Sequence, residues 1–238
     1  MKKLGIIGGL GPMATAYFLE LLVEMTKADT DQEHIEMIIY NSPNIPDRTG
    51  YILGRQKESP LPYFVSIAKK LLSENAGVLA IPCMTAHYFH KELEEEIGAS
   101  VVNAITETAK YLKERGYHNV GIMATDGTIR KNIFSQELEK WGVQSVCPDE
   151  REQKMVMELI YDGIKSGKEV SMEDFESISE NLFAKGAEVI LLGCTELSII
   201  KKNNRLKEGY LDVLEVLAKT CVEQCAVLKE EYKELITV

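Results

Sequence analysis

The 238-residue sequence lacks the features that mark nucleic-acid-binding, membrane and disulfide-bonded proteins. Acidic residues outnumber basic ones, 37 to 27, so the clustered positive charge that nucleic acids and anionic membranes require is missing. No apolar run approaches the roughly 20 residues that cross a bilayer. The five cysteines, an odd number at irregular spacing, do not match a secreted disulfide framework. We therefore expect a cytoplasmic protein with reduced thiols and neither a nucleic-acid nor a membrane partner.

Short runs rich in isoleucine and valine alternate with longer segments of helical periodicity. The runs predict strands near residues 4–7, 35–40, 78–81, 120–124 and 189–192. The longer segments predict helices near residues 14–27, 61–74, 86–97, 104–115, 130–141, 153–166, 172–184 and 213–234. This alternation predicts the α/β class, with parallel sheets that helices cover on both faces.

The two halves of the sequence look alike. Each opens with an apolar strand that ends in glycine or small polar residues, and each later contains a strand that ends in cysteine and threonine. The two later segments are Ala80-Ile81-Pro82-Cys83-Met84-Thr85 and Leu191-Leu192-Gly193-Cys194-Thr195-Glu196. We predict two pseudo-symmetric domains that face each other across a cleft, formed by residues 1–103 plus 213–238 and by residues 104–212.

Cys83 and Cys194 are the strongest candidates for chemistry. Ligands of open α/β sheets bind outside the carboxyl ends of the strands, and each cysteine lies between a predicted strand and a helix. A helix N-terminus stabilises a thiolate and lowers the pKa of the thiol. We expect Thr85 and Thr195 to be N-caps, with free backbone N–H groups nearby for a carboxylate. Spacing alone leaves open a shared thiol site, a redox pair, a metal site and two buried structural cysteines.

A metal site and a dinucleotide site are both weakly indicated. Cys83, His87 and His90 have metal-ligand spacing, but no fourth ligand is apparent nearby, so we expect no metal and interpret His87 as a support for Cys83. Residues 9–14 fit a Gly-x-Gly-x-x-Ala pattern, but the second strand ends without the acidic residue that binds a ribose. We expect no cofactor and interpret residues 8–11 as a turn that a small ligand approaches closely.

Two basic residues are candidates for binding an anion. Arg48 lies in the proline- and glycine-rich segment 42–62, which we predict to be a structured loop of the kind that often carries function. Its forked guanidinium suits a carboxylate, although a solvated surface arginine is the alternative. Lys165 is the second candidate, and for it the alternative is a lysine that closes a helix before Gly167.

Six segments, spread in order over nearly the whole chain, form a familiar pattern. They are Gly-Gly-Leu-Gly-Pro-Met-Ala-Thr at residues 8–15, Asp-Gln-Glu-His at 31–34, Tyr-Asn-Ser-Pro-Asn-Ile-Pro-Asp-Arg-Thr at 40–49, Pro-Cys-Met-Thr-Ala-His at 82–87, Ala-Thr-Asp-Gly-Thr at 124–128 and Gly-Cys-Thr-Glu-Leu at 193–197. Together they resemble the aspartate/glutamate racemase family, and its aspartate racemase branch in particular. The resemblance implies two flavodoxin-like domains, usually paired as a homodimer, that racemise an acidic amino acid without pyridoxal phosphate or metal.

The resemblance also implies roles for individual residues. It marks Cys83 and Cys194 as the catalytic pair, while Arg48 and Lys165 would bind the side-chain carboxylate of the substrate. The remaining expected substrate-binding residues are Thr85 and Thr195 for the α-carboxylate, Glu196 near the substrate amino group or Cys194, and Gly9, Met13, Asn41 and Met84.

Met84 departs from the pattern of the resembled family, which commonly has asparagine directly after the first cysteine. Methionine cannot supply the hydrogen bonds of an amide, so substrate recognition, rate or substrate range is expected to differ. Two alternative functions stay open. One is an isomerase or decarboxylase of dicarboxylates that uses one cysteine as a nucleophile, and the other is a catalytically silent protein that binds an acidic metabolite.

Overall fold

The computed structural model describes residues 2–238. In the first half, parallel strands alternate with helices as the apolar periodicity predicts. The elements are β1 (Lys3–Gly8), α1 (Pro12–Met25), β2 (Met37–Asn41), α2 (Arg48–Ile52), α3 (Leu61–Ser73), β3 (Ala76–Ala80), α4 (His90–Ile97) and α5 (Ala104–Glu114), with 3₁₀ turns at Asp31–Glu33 and Met84–Phe89.

The second half continues the alternation. Its elements are β4 (Asn119–Met123), α6 (Asp126–Arg130), α7 (Ile133–Lys140), β5 (Gln144–Val146), α8 (Glu150–Met157), a π turn (Glu158–Gly163), a 3₁₀ turn (Ile164–Ser166), α9 (Met172–Ala184), β6 (Val189–Leu192), α10 (Thr195–Asn203), β7 (Tyr210–Asp212), α11 (Val213–Cys225) and a 3₁₀ turn (Glu230–Lys233).

Two all-parallel sheets form the frame of the molecule. The first has the order β2-β1-β3 and the second the order β5-β4-β6-β7. In the first sheet the backbone N–H of Val102 donates to the carbonyl of Leu79 at 2.8 Å, so this segment lies beside β3 as β7 lies beside β6. The matching order confirms the predicted α/β fold with two parallel sheets flanked by helices.

The largest apolar cluster takes buried side chains from both sheets and from α1, α5 and α11. A second cluster covers the other face of the first sheet with Phe64 and Phe89, and a third covers the second sheet with Phe175. The strands are nearly all apolar because both of their faces are buried. Since α11 packs on both α1 and α5, one helix from each predicted domain, the domain boundaries at residues 103 and 213 stay a prediction.

The structure adds two strands that the sequence pattern did not indicate. β5 and β7 have three residues each and extend the second sheet at its two edges. Three residues are too few to show a period of two, so only pairing with β4 and β6 identifies them. The segment 42–62 is also more regular than predicted, because Asp47 accepts a hydrogen bond from Gly50 N–H and caps the short helix α2.

Three predicted helices are interrupted. The helix at 86–97 begins as a 3₁₀ turn, and the helix at 130–141 is divided by Asn132, whose φ of 52° is left-handed. The helix at 153–166 widens into the π turn Glu158–Gly163, a form that is rare and often found at functional sites.

The final helix is shorter than predicted. α11 ends at Cys225 rather than at residue 234, and Ala226 is extended. Lys27 N–H donates to the Val227 carbonyl at 2.8 Å and Lys229 N–H donates to the Met25 carbonyl at 2.9 Å. Pairing with the chain after α1 therefore replaces the last helical turns. Among residues 2–238 no helix is long and apolar enough to cross a membrane.

Candidate active site

Cys83 and Cys194 take equivalent positions at the carboxyl ends of β3 and β6. Each has extended backbone angles and is the N-cap residue of the turn that follows, a 3₁₀ turn after Cys83 and α10 after Cys194. Gly193 is needed before the second cysteine, because a Cβ there would lie 2.9 Å from the Phe134 ring and 3.1 Å from the Met123 carbonyl oxygen. Both thiols are 6% exposed.

The two cysteines line one small enclosed cavity between the sheets. Its volume of about 10 Å³ is room for about one water molecule. Six of the predicted substrate-binding residues line the same cavity: Arg48, Met84, Thr85, Lys165, Thr195 and Glu196. We refer to this space as the inner cavity.

A larger cleft of about 540 Å³ lies outside the inner cavity. Gly9 and Met13 line this outer cleft, and Met13 is 67% exposed. The side chains that line both spaces form the partition between them: Asp47, Arg48, Tyr161, Lys165 and Glu196. A ligand that reaches the thiols from the outer cleft must pass this partition.

Arg48 is buried, not a solvated surface arginine. Its guanidinium donates to the backbone carbonyls of Ile45, Pro46 and Leu10 at 3.2–3.3 Å, while its Nε has no partner among the described residues. Burial lowers the pKa of Arg48, but its contact with the Cys83 sulfur and the charge of Asp47 outweigh burial and raise the pKa overall. The Arg48 guanidinium therefore places a positive charge beside Cys83, and it still has N–H groups free to donate hydrogen bonds.

Cys194 faces a negative charge instead. Its thiol donates to Glu196 Oε2 at 2.9 Å, and Lys165 Nζ lies 3.8 Å from the other Glu196 oxygen. Burial and the Glu196 charge raise the pKa of Cys194 well above its ordinary value, and Lys165 offsets only part of that rise. The expected lowering of the pKa by the helix N-terminus is therefore wrong for Cys194, because burial of the thiol and the neighbouring Glu196 carboxylate raise the pKa instead.

Lys165 lies at the inner cavity and does not simply close a helix. Its ammonium lies 4.4 Å from the centroid of the Tyr161 ring, in cation–π geometry. Burial lowers its pKa, but the charges of Glu196 and Cys194 outweigh burial and raise it overall. Lys165 is thus a cation from the second half of the chain that lines the same cavity as Arg48 from the first half.

The expected roles of Thr85 and Thr195 as N-caps are wrong. The chain turns at the preceding cysteines, so both threonines lie inside the turns and cap nothing. The Thr85 hydroxyl instead lies 3.0 Å from that of Thr125 and 3.1 Å from that of Thr128, in a buried cluster that joins the two halves. The Thr195 hydroxyl donates to Glu196 at 3.2 Å.

Two predicted binding residues are explained differently by the structure. Gly9 has φ +94°, and a Cβ there would lie 2.5 Å from backbone atoms of Ser42, so close packing of two chain segments requires glycine at this position. Asn41 is exposed at the end of β2 and lines neither the inner cavity nor the outer cleft. The structure therefore does not bring Asn41 into the site.

His87 supports the backbone of Cys83. Its Nδ1 lies 3.0 Å from the Cys83 carbonyl oxygen, and its Nε2 accepts the N–H of Ala104 at 3.1 Å. Nε2 therefore carries the lone pair and Nδ1 the proton. Burial lowers the pKa of His87 to about 4, which keeps it neutral. With both ring nitrogens engaged, His87 offers no lone pair to a metal.

Sequence reasoning missed Tyr161 and gave no role to Asp47 and Thr125. The Tyr161 hydroxyl donates to Asp47 Oδ1 at 3.2 Å across 114 residues of sequence, and burial raises the pKa of Tyr161 to about 12, so it stays protonated. The sequence did give an indication for Asp47, because it directly precedes the candidate residue Arg48. No local pattern indicated Tyr161. Its ring reaches the partition because the helix widens into a π turn there, and the regular helical period of the sequence does not predict that turn.

Comparison with known proteins identifies the family. The model of the Asp/Glu/hydantoin racemase family matches residues 7–221. The solved structure of the Picrophilus torridus aspartate racemase is 31% identical, with a TM-score of 0.82 over 98% of each chain. A putative Asp/Glu racemase from Yersinia pestis has the same fold, with a TM-score of 0.79 at 20% identity over 94% of this chain and 99% of that one.

A similar sequence supports the same assignment. The broad specificity amino-acid racemase RacX of Bacillus subtilis (strain 168) is 24% identical over 228 residues, which are 92% of this chain and 96% of that protein. The family model covers far more than half of the chain and includes both cysteines. The chain therefore belongs to the Asp/Glu/hydantoin racemase family.

Proposed function

We propose that this protein racemises an acidic amino acid, aspartate or glutamate, with Cys83 and Cys194 as the two proton-transfer groups. The observation that carries the proposal is the shared inner cavity, which two thiols from equivalent strand ends line together with Arg48 and Lys165. The names of the relatives from Picrophilus torridus and Bacillus subtilis support amino-acid racemisation.

The reaction needs one thiolate and one thiol on opposite sides of the α-carbon. The thiolate takes the α-proton, so the C–H bond breaks, an S–H bond forms and the electron pair passes to the α-carbon and its carboxylate. The thiol then gives its proton to the other face, which breaks its S–H bond and forms a new C–H bond. Hydrogen bonds to the carboxylate stabilise the charge that develops in a cavity closed to water.

The charges around the two cysteines suggest which one holds the proton at rest. Cys83 faces the Arg48 guanidinium, whereas Cys194 donates to the Glu196 carboxylate. We infer that Cys194 holds its proton in the resting pair. The two groups exchange roles when the opposite enantiomer reacts.

Arg48 and Lys165 suit a substrate with a second carboxylate. Arg48 keeps donors beyond its three carbonyl bonds, and Lys165, from the second half of the chain, forms part of the same partition. Two cations at one cavity favour a substrate that carries two carboxylates over an amino acid that carries one. The chemistry as proposed needs neither pyridoxal phosphate nor a metal.

The test is proton exchange at the α-carbon. Purified protein free of pyridoxal phosphate is incubated with L-aspartate and with L-glutamate in deuterated water, followed by proton NMR and chiral separation. We expect loss of the α-proton signal and appearance of the D-enantiomer. Cys83→Ala and Cys194→Ala should each abolish interconversion, whereas the matched control Cys147→Ala, which lines neither space, should not.

Three outcomes would contradict the proposal. Normal racemisation by folded Cys194→Ala would exclude the two-thiol mechanism. A covalent cysteine adduct with maleate and no α-proton exchange would indicate a dicarboxylate isomerase or decarboxylase, while thermal stabilisation by aspartate without turnover would indicate a binding protein.

A further inference from the structure

Asp212 is a buried carboxylate that the proposed reaction does not use. It ends β7 and is 0% exposed. Its Oδ1 accepts the Leu214 N–H at 2.9 Å and so caps α11, but its Oδ2 has no hydrogen-bond partner among residues 2–238. Burial raises the pKa of Asp212 more than the Lys201 charge and the hydrogen bonds lower it. A serine or an asparagine would cap the helix without a buried charge, so capping alone does not explain an aspartate at this position.

A second donor accounts for the aspartate. Ser198 Oγ donates to the same Asp212 oxygen at 2.7 Å. Ser198 is 0% exposed and lies in α10, the helix that begins after Cys194, and its backbone N–H donates to the Cys194 carbonyl at 3.4 Å. One serine therefore connects Asp212, through its side chain, with Cys194, through its backbone. A hydrogen bond to an ionised carboxylate is stronger than one between neutral groups, so the charge of Asp212 strengthens this connection.

The second sheet places Asp212 beside the end of the strand that leads to Cys194. β6 and β7 pair in parallel with Leu192 opposite Asp212, and Cys194 follows two residues after Leu192. One turn further along α10, Lys201 donates to both carboxylate oxygens of Glu215 in α11, at 2.6 and 2.7 Å. The two donors are three residues apart, and so are the two acceptors, so the two bridges follow one face of each helix. They hold α10 against the start of α11.

Helix α10 forms a wall of the candidate active site. Glu196, in its first turn, accepts from the Cys194 thiol and lines both the inner cavity and the outer cleft, while Ile199 lines the outer cleft. Glu196 lies two residues before Ser198, so a shift of α10 moves its carboxylate relative to Cys194. We propose that Asp212 is a positioning residue, which holds α10 through Ser198 so that the Glu196 carboxylate meets the Cys194 thiol. This role does not depend on the reaction that the thiols perform.

Ser198→Ala tests the role of Asp212, with Ser179→Ala as the matched control. Ser198→Ala removes the hydroxyl that binds Asp212. Ser179 is also buried, and its hydroxyl donates to the Phe175 carbonyl at 2.8 Å within α9, so Ser179→Ala removes a comparable hydrogen bond away from the site. The rate of Cys194 alkylation by iodoacetamide is measured as a function of pH by mass spectrometry of the labelled peptide.

The pH profile of Cys194 alkylation should move down by about one unit in Ser198→Ala, which makes alkylation about tenfold faster at neutral pH, because the Glu196 charge no longer lies against the thiol. Ser179→Ala should leave the profile unchanged. In a Glu196→Gln background, Ser198→Ala should change the profile little, since the charge that it displaces is already absent. Asp212→Asn keeps an oxygen for both donors but loses the charge, so it should move the profile in the same direction by a smaller amount.

An unchanged profile in folded Ser198→Ala would overturn the role of Asp212. A change of equal size in the Glu196→Gln background would also overturn it, since Ser198→Ala would then only expose the thiol. If circular dichroism shows that Ser198→Ala does not fold, Asp212→Asn with and without Glu196→Gln decides by the same two criteria. These experiments follow alkylation and not turnover, so their failure is distinguishable from a failure of the proposed racemisation.

Discussion

Cys194 and Glu196 form a donor–acceptor pair whose electrostatics set the state of one thiol. The thiol donates to Glu196 at 2.9 Å, and both groups are buried. No carboxylate among residues 2–238 is bonded to Cys83, which contacts Arg48 instead. The two cysteines lie at equivalent strand ends, but they are chemically different because Cys83 contacts a cation and Cys194 contacts a carboxylate.

Glu196→Gln should bring the pKa of Cys194 down towards its ordinary value, because it removes the negative charge that burial makes most effective. We expect alkylation of Cys194 by iodoacetamide to become at least tenfold faster at neutral pH, measured by mass spectrometry of the labelled peptide. Cys221, which is buried away from Glu196, is the internal control and should not change. An unchanged Cys194 rate would mean that burial alone raises its pKa.

Met84 is 2% exposed and lines the inner cavity, at the position where the resembled family commonly has asparagine. Met84→Asn should raise kcat/KM for aspartate about tenfold, because a hydrogen bond to a charged group contributes about 1.5–3 kcal/mol and part of it is lost to burying the amide. Steady-state racemisation of aspartate, glutamate and a neutral amino acid measures the effect. Met84→Leu, which conserves volume, is the control, and an equal gain there would exclude hydrogen bonding as the cause.

At the scale of elements, His87 joins the 3₁₀ turn after Cys83 to the first residue of α5. One ring nitrogen donates to the Cys83 carbonyl and the other accepts Ala104 N–H, so the position of the thiol depends on the start of α5. Both bonds require the neutral ring in a single tautomer.

The stability of the protein should therefore fall in acid. The pKa of His87 is about 4 when folded and 6.5 ordinarily, so between these values only the unfolded chain binds the proton. Acidification from pH 6.5 to 4 should cost up to about 3 kcal/mol of unfolding free energy from this residue. Urea unfolding at several pH values measures the loss. His87→Asn, which keeps a donor and an acceptor but does not titrate, should show a shallower loss, and an equal slope would contradict the prediction.

At the scale of the whole molecule, the site is closed in this structure. The inner cavity has room for about one water, so an amino acid enters only when the partition moves. The Tyr161–Asp47 bond joins the π turn on one side of the site to the loop that carries Arg48 on the other. It is therefore a contact that opening must break.

Tyr161→Phe should favour the open form while keeping the aromatic ring beneath Lys165. Loss of a hydrogen bond to a charged group is worth about 1.5–3 kcal/mol, which is about tenfold or more in the open population. We expect Cys83 and Cys194 to be alkylated correspondingly faster, and aspartate, if it is the substrate as proposed, to slow the reaction by stabilising the closed form. Tyr63→Phe, which removes a similar bond to Glu58 at the surface, should not change the rates. Unchanged rates in Tyr161→Phe would place the opening elsewhere.

The fold and the two thiols were predictable because their signals are local. An apolar run followed by a small residue and a helical segment indicates a strand end, and this pattern placed Cys83 and Cys194 where the structure has them. The predictions that were wrong also have physical reasons. β5 and β7 are too short to show a period, α11 ends where the tail pairs with the chain after α1, and Thr85 lost its expected cap role because the turn begins at Cys83.

The amino-acid sequence by itself determined the alternation of strands and helices, the repeated strand ends and the presence of two thiols with two cations. Only the tertiary structure decided that Arg48 faces Cys83, that Glu196 accepts from Cys194, and that Tyr161 reaches Asp47 over 114 residues of sequence. Periodicity reports which side of an element is buried. The strength of an electrostatic interaction depends instead on distance and burial in three dimensions, which no local pattern of residues encodes.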